Sequence, residues 1–199
     1  MIFIVSNKKS KKKQLFIHYF SIIMFFFSRK FSIEETNLLQ FLSKVRLFQN
    51  LSETQKLSFL PYLHLRNYKQ NEVVFFRNDP SQALYLIKEG KVSLELDIEE
   101  RFESVIQLET SASFGHNSLL PKTKRIFNAF VTSPLCQIYV LPQVNISDVF
   151  KRSPEIKAQV LENLSYIYNQ NLYDLCKIYR EKRGFFELAE MFTNVVWGT

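Results

Sequence analysis

Between Leu63 and Pro142 the apolar residues stop recurring every three or four positions and begin to alternate. Seven short segments carry this signature: LHLRNYK, VVFFRN, ALYLIKE, KVSLELDI, SVIQLET, RIFNAFVTS and CQIYVLP. In KVSLELDI the apolar Val92, Leu94, Leu96 and Ile98 alternate with Ser93, Glu95 and Asp97, which predicts a strand with one buried and one wet face. Turn-forming residues punctuate the run at Gln70-Asn71, Asn78-Asp79-Pro80, Glu89-Gly90 and Ser111-Ala112-Ser113. Short, evenly spaced antiparallel strands must bury one face of each against another sheet. The expectation is a mainly β domain with flanking helices, closed as a jelly roll that protects its edges.

Helical periodicity brackets the strands. In FSIEETNLLQFLSKV, Leu38, Leu39, Phe41, Leu42 and Val45 share a face, and Ser32 with Glu34 and Glu35 suits a capped first turn. Ser52 and Glu53 open a second helix through SETQKLSFLPYL. From Pro154, Ile156, Val160, Leu164, Ile167, Leu172, Leu175, Ile178 and Tyr179 form one stripe until Gly184. That stripe suits packing on the β domain, pairing with a second copy, or each along a different stretch. Three regions result: a leader over 1–30, the β domain with its N-terminal helices over 31–152, and a helical extension over 153–199.

Charge and composition narrow the function. Seven of the 26 basic residues and none of the 19 acidic ones lie in residues 1–30, so the net charge of +7 belongs to the leader and the rest of the chain is neutral. A DNA-binding body needs a basic face of its own. Residues 153–199 hold five basic and six acidic groups and one dominant helical pattern, which leaves no recognition helix. Cys136 and Cys176 sit in periodic apolar segments without a Cys or His at metal spacing, so both read as reduced packing residues of a cytoplasmic protein. No nucleophile-elbow, zinc-protease or phosphate-loop motif occurs. The expectation is a protein that is not an enzyme and carries no metal or cofactor.

The leader admits several readings. Lys8, Lys9, Lys11, Lys12 and Lys13 precede an apolar run from Leu15 to Phe27. As a helix that run spans only about 20 Å, short of a bilayer core of about 30 Å. It suits a segment on an anionic membrane surface, an over-extended start upstream of Met24, or a docked helix. At the other end, Phe185, Phe186, Met191, Phe192 and Trp197 form an aromatic cluster that suits either core or docking.

The LFQNLS segment, Tyr68, Glu72-Val73-Val74, Arg77-Asn78-Asp79, LYLIKEGKV and Phe114-Gly115 follow one another in an order and spacing that resembles the cyclic-nucleotide-binding domain family. The likeness runs from Leu47 to near Leu164. It implies an eight-stranded jelly roll with helices before it and a long C-terminal helix. Two glycines of the family are replaced by Asn71 and Asn78, the residue type that best tolerates the left-handed backbone, and a third is replaced within Ser111-Ala112-Ser113.

In the family a Phe-Gly-Glu segment opens a short helix that cradles a cyclic phosphate, and an arginine nine residues later neutralises it. The resemblance places Gly115, His116, Asn117, Ser118, Arg125 and Ile126 at this ligand site, with cAMP or cGMP as the implied ligand. It further implies that Arg125→Ala removes ligand binding and leaves the fold intact, and that Tyr166 or Tyr168 caps a base. Three departures oppose binding. His116 stands where the family has the glutamate that binds the ribose, a loss of about 1.5–3 kcal/mol. Ile126 and Phe127 stand where the family has small residues, and on a strand the Phe127 ring would share a face with Arg125.

Two functions therefore compete. One is a sensor in which cAMP or cGMP repositions the C-terminal helix. The other is a module that keeps the fold for dimerisation or docking and binds no nucleotide. In either, the partners expected are a second copy through the C-terminal helix and an unidentified protein, not DNA.

Overall fold

The structure, a computed structural model, describes residues 31–98 and 101–183. Contacts divide the chain into two units, residues 1–37 and 38–199. The basic and apolar leader and the aromatic residues beyond Arg183 lie outside the described residues. The first unit shows only the opening turn of helix α1 (Ile33–Lys44). There the Glu35 N–H donates to Ser32 Oγ at 3.1 Å and the Ser32 N–H to Glu35 Oε2 at 3.0 Å, a reciprocal cap that adds a Glu35 side-chain bond to the Ser32 cap expected from the sequence.

In the second unit, α1 buries Leu39 and Leu42, and a 3-10 turn follows at Arg46–Phe48. Helix α2 is shorter than its pattern implies, Glu53–Leu57, because Pro61 lies in a separate 3-10 turn, Leu60–Tyr62. Ser52 and Gln55 form a second reciprocal cap.

Eight strands follow among the described residues: β1 (His64–Lys69), β2 (Val73–Phe75), β3 (Ala83–Glu89), β4 (Val92–Ile98), β5 (Arg101–Leu108), β6 (Ser113–Phe114), β7 (Asn128–Val131) and β8 (Leu135–Pro142). They form two antiparallel sheets, β1-β8-β3-β6 and β2-β7-β4-β5. Among the described residues no strand ladder joins the two sheets, so the expected jelly roll is open and not a closed barrel. Strand β6, the one without a counterpart among the seven sequence segments, has two residues, too few to show a period.

Strands β3 and β8 read as nearly continuous apolar runs because both of their faces are covered. Ile87, Cys136 and Ile138 point into the space between the sheets with Phe75, Val92, Leu94, Phe114 and Val131. Leu84, Leu86 and Leu141 point the other way, into a helical layer with Leu42, Phe48 and Phe59. Helices α3 (Gln143–Arg152) and α4 (Pro154–Arg183) complete that layer through Ile146, Val149, Ile156 and Val160. Asn163, almost fully buried, ties α4 to the 3-10 turn by donating to the carbonyls of Leu47 at 3.1 Å and Gln49 at 2.5 Å.

Three expectations are corrected. The outer face of β4 is not uniformly wet: Ser93 is buried, opposite Phe130 of β7 and Gln107 of β5, and shares a 2.9 Å hydrogen bond with Ser104. The RIFNAFVTS strand starts only at Asn128, so Arg125, Ile126 and Phe127 occupy an irregular connection. Cys176 is exposed, whereas Cys136 is buried as expected. Asn71 and Asn78 do adopt the left-handed conformation, with φ of 67° and 68°, and Ser111 adopts it at 70°. No helix among the described residues is long and apolar enough to cross a membrane.

Gly90, between β3 and β4, has φ of 99°. A Cβ there would lie 2.7 Å from the Leu135 carbonyl oxygen and 2.8 Å from Cys136 Cα. Both are backbone atoms of the central strand β8 and cannot swing aside. Gly90→Ala is therefore expected to lower unfolding free energy by at least about 2 kcal/mol, combining left-handed strain and a backbone clash; urea denaturation measures it.

Candidate functional site: a cavity between the β4–β5 pair and helix α4

The site grows from the end of β6. Phe114 is in the core, and its ring stacks on Tyr85 with centroids 5.1 Å apart and planes at 19°. Phe75 lies 5.4 Å from Tyr85 and 5.8 Å from Phe114, completing a three-ring cluster. After Phe114 the chain turns at Gly115, whose φ is 74°, into a 3-10 turn, His116–Leu119. Its four residues are the short helix implied by the sequence.

Arg125 returns to this point through paired loops. Its N–H donates to the Asp79 carbonyl at 2.9 Å, and the Asn78 N–H donates to its carbonyl at 3.0 Å. Its guanidinium is 3% exposed as a residue and points inward. Nη1 donates to the Gly115 carbonyl at 3.0 Å and Nη2 to the Ala83 carbonyl at 2.8 Å. Cζ lies 4.2 Å above the Phe75 ring centre and 5.3 Å from that of Tyr85. Carbonyl dipoles and aromatic faces thus stabilise the buried charge. The same seating explains Gly115: a Cβ there would lie 2.5 Å from Arg125 Nη1 and 3.2 Å from the Ala83 carbonyl oxygen.

In front of this wall lies a cavity of about 400 Å³. Leu94 of β4, Ile106 and Leu108 of β5, and Phe127 supply apolar surface. Ile167, Tyr168 and Asn171 of α4 form the opposite side. Of the six residues that the sequence assigns to a ligand site, Gly115, His116, Asn117 and Ile126 line this cavity. Ser118, 1% exposed, and Arg125 are buried and are not among its lining residues. Lys122 and Lys124 are exposed outside it. Tyr168 lines it, while Tyr166 is 63% exposed and does not.

Phe127 does not share a strand face with Arg125, because neither residue is on a strand. It nonetheless reaches the cavity, as does Ile126. The sequence reading missed the α4 contribution of Ile167 and Asn171, and Arg46 from the 3-10 turn. Ile167 carries a signal in the α4 stripe; Arg46 and Asn171 carry none, since only tertiary packing brings them to the rim.

His116 is set by its neighbours. Its Nε2 lies 2.9 Å from Ser113 Oγ, and its ring meets Tyr168 edge-on with centroids 6.0 Å apart. Burial pushes its pKa from 6.5 down to about 4, since a desolvated imidazole disfavours its charged form. At neutral pH the position that holds a carboxylate in the family therefore holds an uncharged imidazole. Arg46, exposed at the rim, is the only charged side chain at neutral pH among the described lining residues.

With this geometry in place, comparison with known proteins shows what the chain is similar to. Residues 65–153 match the family model of the cyclic nucleotide-binding domain. The chain is 29% identical over 118 residues to a protein of Rhodopseudomonas palustris provisionally named a potassium channel protein, covering 59% of this chain and 28% of that one. It is 30% identical over 96 residues to a cGMP-dependent protein kinase of Plasmodium berghei, covering 47% of this chain and 11% of the kinase. Among solved structures it is similar to the catabolite activator protein of Thermus thermophilus, with 26% identity and a TM-score of 0.56, covering 65% of this chain and 59% of that one. The chain thus spans less than a third of either curated relative.

Two outcomes are expected. Arg125→Ala leaves the Gly115 and Ala83 carbonyls without their donors and removes a charge packed on two rings, so it should destabilise the domain by about 2–4 kcal/mol, contrary to the intact fold that the resemblance implies. Chemical denaturation checks this. For His116, the folded pKa lies below the unfolded one, so the unfolded chain binds the extra proton between pH 6.5 and about 4. Unfolding free energy should fall as pH drops through that window. His116→Gln should flatten the slope, read by thermal melts at stepped pH.

Proposed function

We propose that this chain is a non-catalytic regulatory module that keeps the cyclic-nucleotide-binding fold and has given up the nucleotide. One observation carries the reading: the guanidinium at the position of the family's phosphate arginine is hydrogen-bonded to two backbone carbonyls and packed on Phe75 and Tyr85. Arg125 is buried and is not among the cavity's lining residues, and its Nη1 and Nη2 already donate to protein carbonyls, while its Nε has no protein partner among the described residues. The neutral His116 adds no attraction for the anion, and an unpaired charge inside an apolar site is costly. Arg46 stands in solvent at the rim, where its field is screened.

The test is calorimetric titration of the full chain with cAMP and cGMP, with thermal melts alongside. At about 1 mM nucleotide, a site of ~10 μM affinity would add about 2.7 kcal/mol to stability. Neither heat nor a shift in melting temperature is expected. Micromolar binding of either nucleotide would overturn this reading and restore a cAMP or cGMP sensor that moves its C-terminal helix.

The output of such a module is its long helix. Ile156, Val160, Leu164 and Ile167 are buried, whereas Leu172, Leu175 and Ile178 are 50%, 61% and 51% exposed. The apolar stripe therefore continues beyond the surface that covers its first half. We propose that the exposed half pairs with a second copy of the chain, as apolar residues at this spacing do in two-stranded helices. Analytical ultracentrifugation should find a dimer that Leu175→Glu converts to monomer; a wild-type monomer at micromolar concentration would refute the pairing.

A further inference from the structure

The pocket is partly open to solvent where Leu120 and Ile126 stand half exposed, and it measures about 400 Å³, within the ~300–1,000 Å³ range of small-molecule sites. Water is poorly held against its apolar part. Leu94, Ile106, Leu108, Phe127 and Ile167 offer it no hydrogen bonds, and ordered water needs two to four polar partners. An apolar occupant gains what water cannot, because burying hydrocarbon against these walls is favourable.

Polar side chains line the β6 end at Ser111, Ser113, His116 and Asn117, and the α4 wall at Tyr168 and Asn171. Ser113 and His116 lie 2.9 Å apart and both line the cavity, close to the Asn117 residue. The imidazole is uncharged at neutral pH, so this end offers hydrogen bonds without a net charge. Such a site favours a hydroxyl or carbonyl over a phosphate or an ammonium. We propose that the cavity binds a neutral, mainly apolar small molecule carrying one hydrogen-bonding head, its body against the β4–β5 wall and its head at Ser113 and His116. This rests on the reading that the site no longer takes a cyclic nucleotide. Because Ile167, Tyr168 and Asn171 form the facing wall, the occupant touches α4 directly. Its presence would bias the helix that carries the exposed stripe.

The probe is 1-N-phenylnaphthylamine, a neutral apolar dye that fluoresces on leaving water, titrated into the full chain. Saturable binding is expected, with weaker binding of the anionic anilinonaphthalene sulfonate and no displacement by cAMP or cGMP. Ile126 and Leu120 line the cavity and are 54% and 45% exposed, so Ile126→Glu and Leu120→Glu should each fold. Each should weaken the neutral dye at least about tenfold by placing a charge at an apolar mouth. Leu135→Glu, at a residue outside the cavity that is 70% exposed, should leave it unchanged. Circular dichroism confirms folding of each variant.

Absence of dye binding to the wild-type chain would overturn this inference and leave the proposed loss of nucleotide binding standing. Displacement of the dye by a cyclic nucleotide would overturn both. Binding lost in Leu175→Glu but kept in Ile126→Glu and Leu120→Glu would place the dye on the helix stripe and overturn the cavity assignment.

Discussion

The guanidinium of Arg125 holds together the part of the molecule on which the site is built. It joins the carbonyl at the start of β3 to the carbonyl at Gly115, so it fixes the turn after β6 against β3. Its cationic face lies on Phe75 and Tyr85, which links the two sheets through one side chain. Burying a charge is costly unless dipoles and π faces replace water, and here both do. The close approach then requires a residue without a side chain at position 115. One buried cation thus sets the glycine, the backbone turn and the orientation of the 3-10 segment that forms the cavity end.

The second organising element is α4, which serves two surfaces. Its first half completes the helical layer through Ile156, Val160 and Leu164, and Asn163 fixes its height by two hydrogen bonds to the Leu47 and Gln49 carbonyls. One turn further on, Ile167, Tyr168 and Asn171 face the cavity. Beyond them the apolar residues are uncovered. The cavity thus borders the helix between its buried and its exposed halves.

Much of the fold is legible in the chain. Seven of the eight described strands announce themselves as short segments between turn residues, β4 most clearly by alternation and β3 and β8 as nearly continuous apolar runs; Ser32 and Ser52 mark two helix starts, and Asn71 and Asn78 two left-handed turns. The misreadings share a cause. The two-residue β6 has no period to detect. Ser93 looks solvent-facing because alternation cannot foresee that the neighbouring strand covers it with Phe130. Arg125 to Phe127 look like strand because Arg-Ile-Phe runs directly into a real one, and only the loop pairing through Asp79 and Asn78 keeps them out of the ladder.

For the site, the sequence by itself pointed to one stretch of chain through its resemblance, Phe114-Gly115-His116 with Arg125 nine residues later; of the six residues it singles out, Gly115, His116, Asn117 and Ile126 line a cavity, and Ser118 and Arg125 do not. The loss of the carboxylate at position 116 was equally plain. Only the tertiary structure decided which way Arg125 points. A side chain's direction depends on which dipoles, rings and solvent surround it, and those come from Ala83, Gly115, Phe75 and Tyr85, dispersed along the chain. The character of the cavity follows from the same limit, because its apolar walls come from β4, β5 and α4, which are neighbours only once the chain has folded.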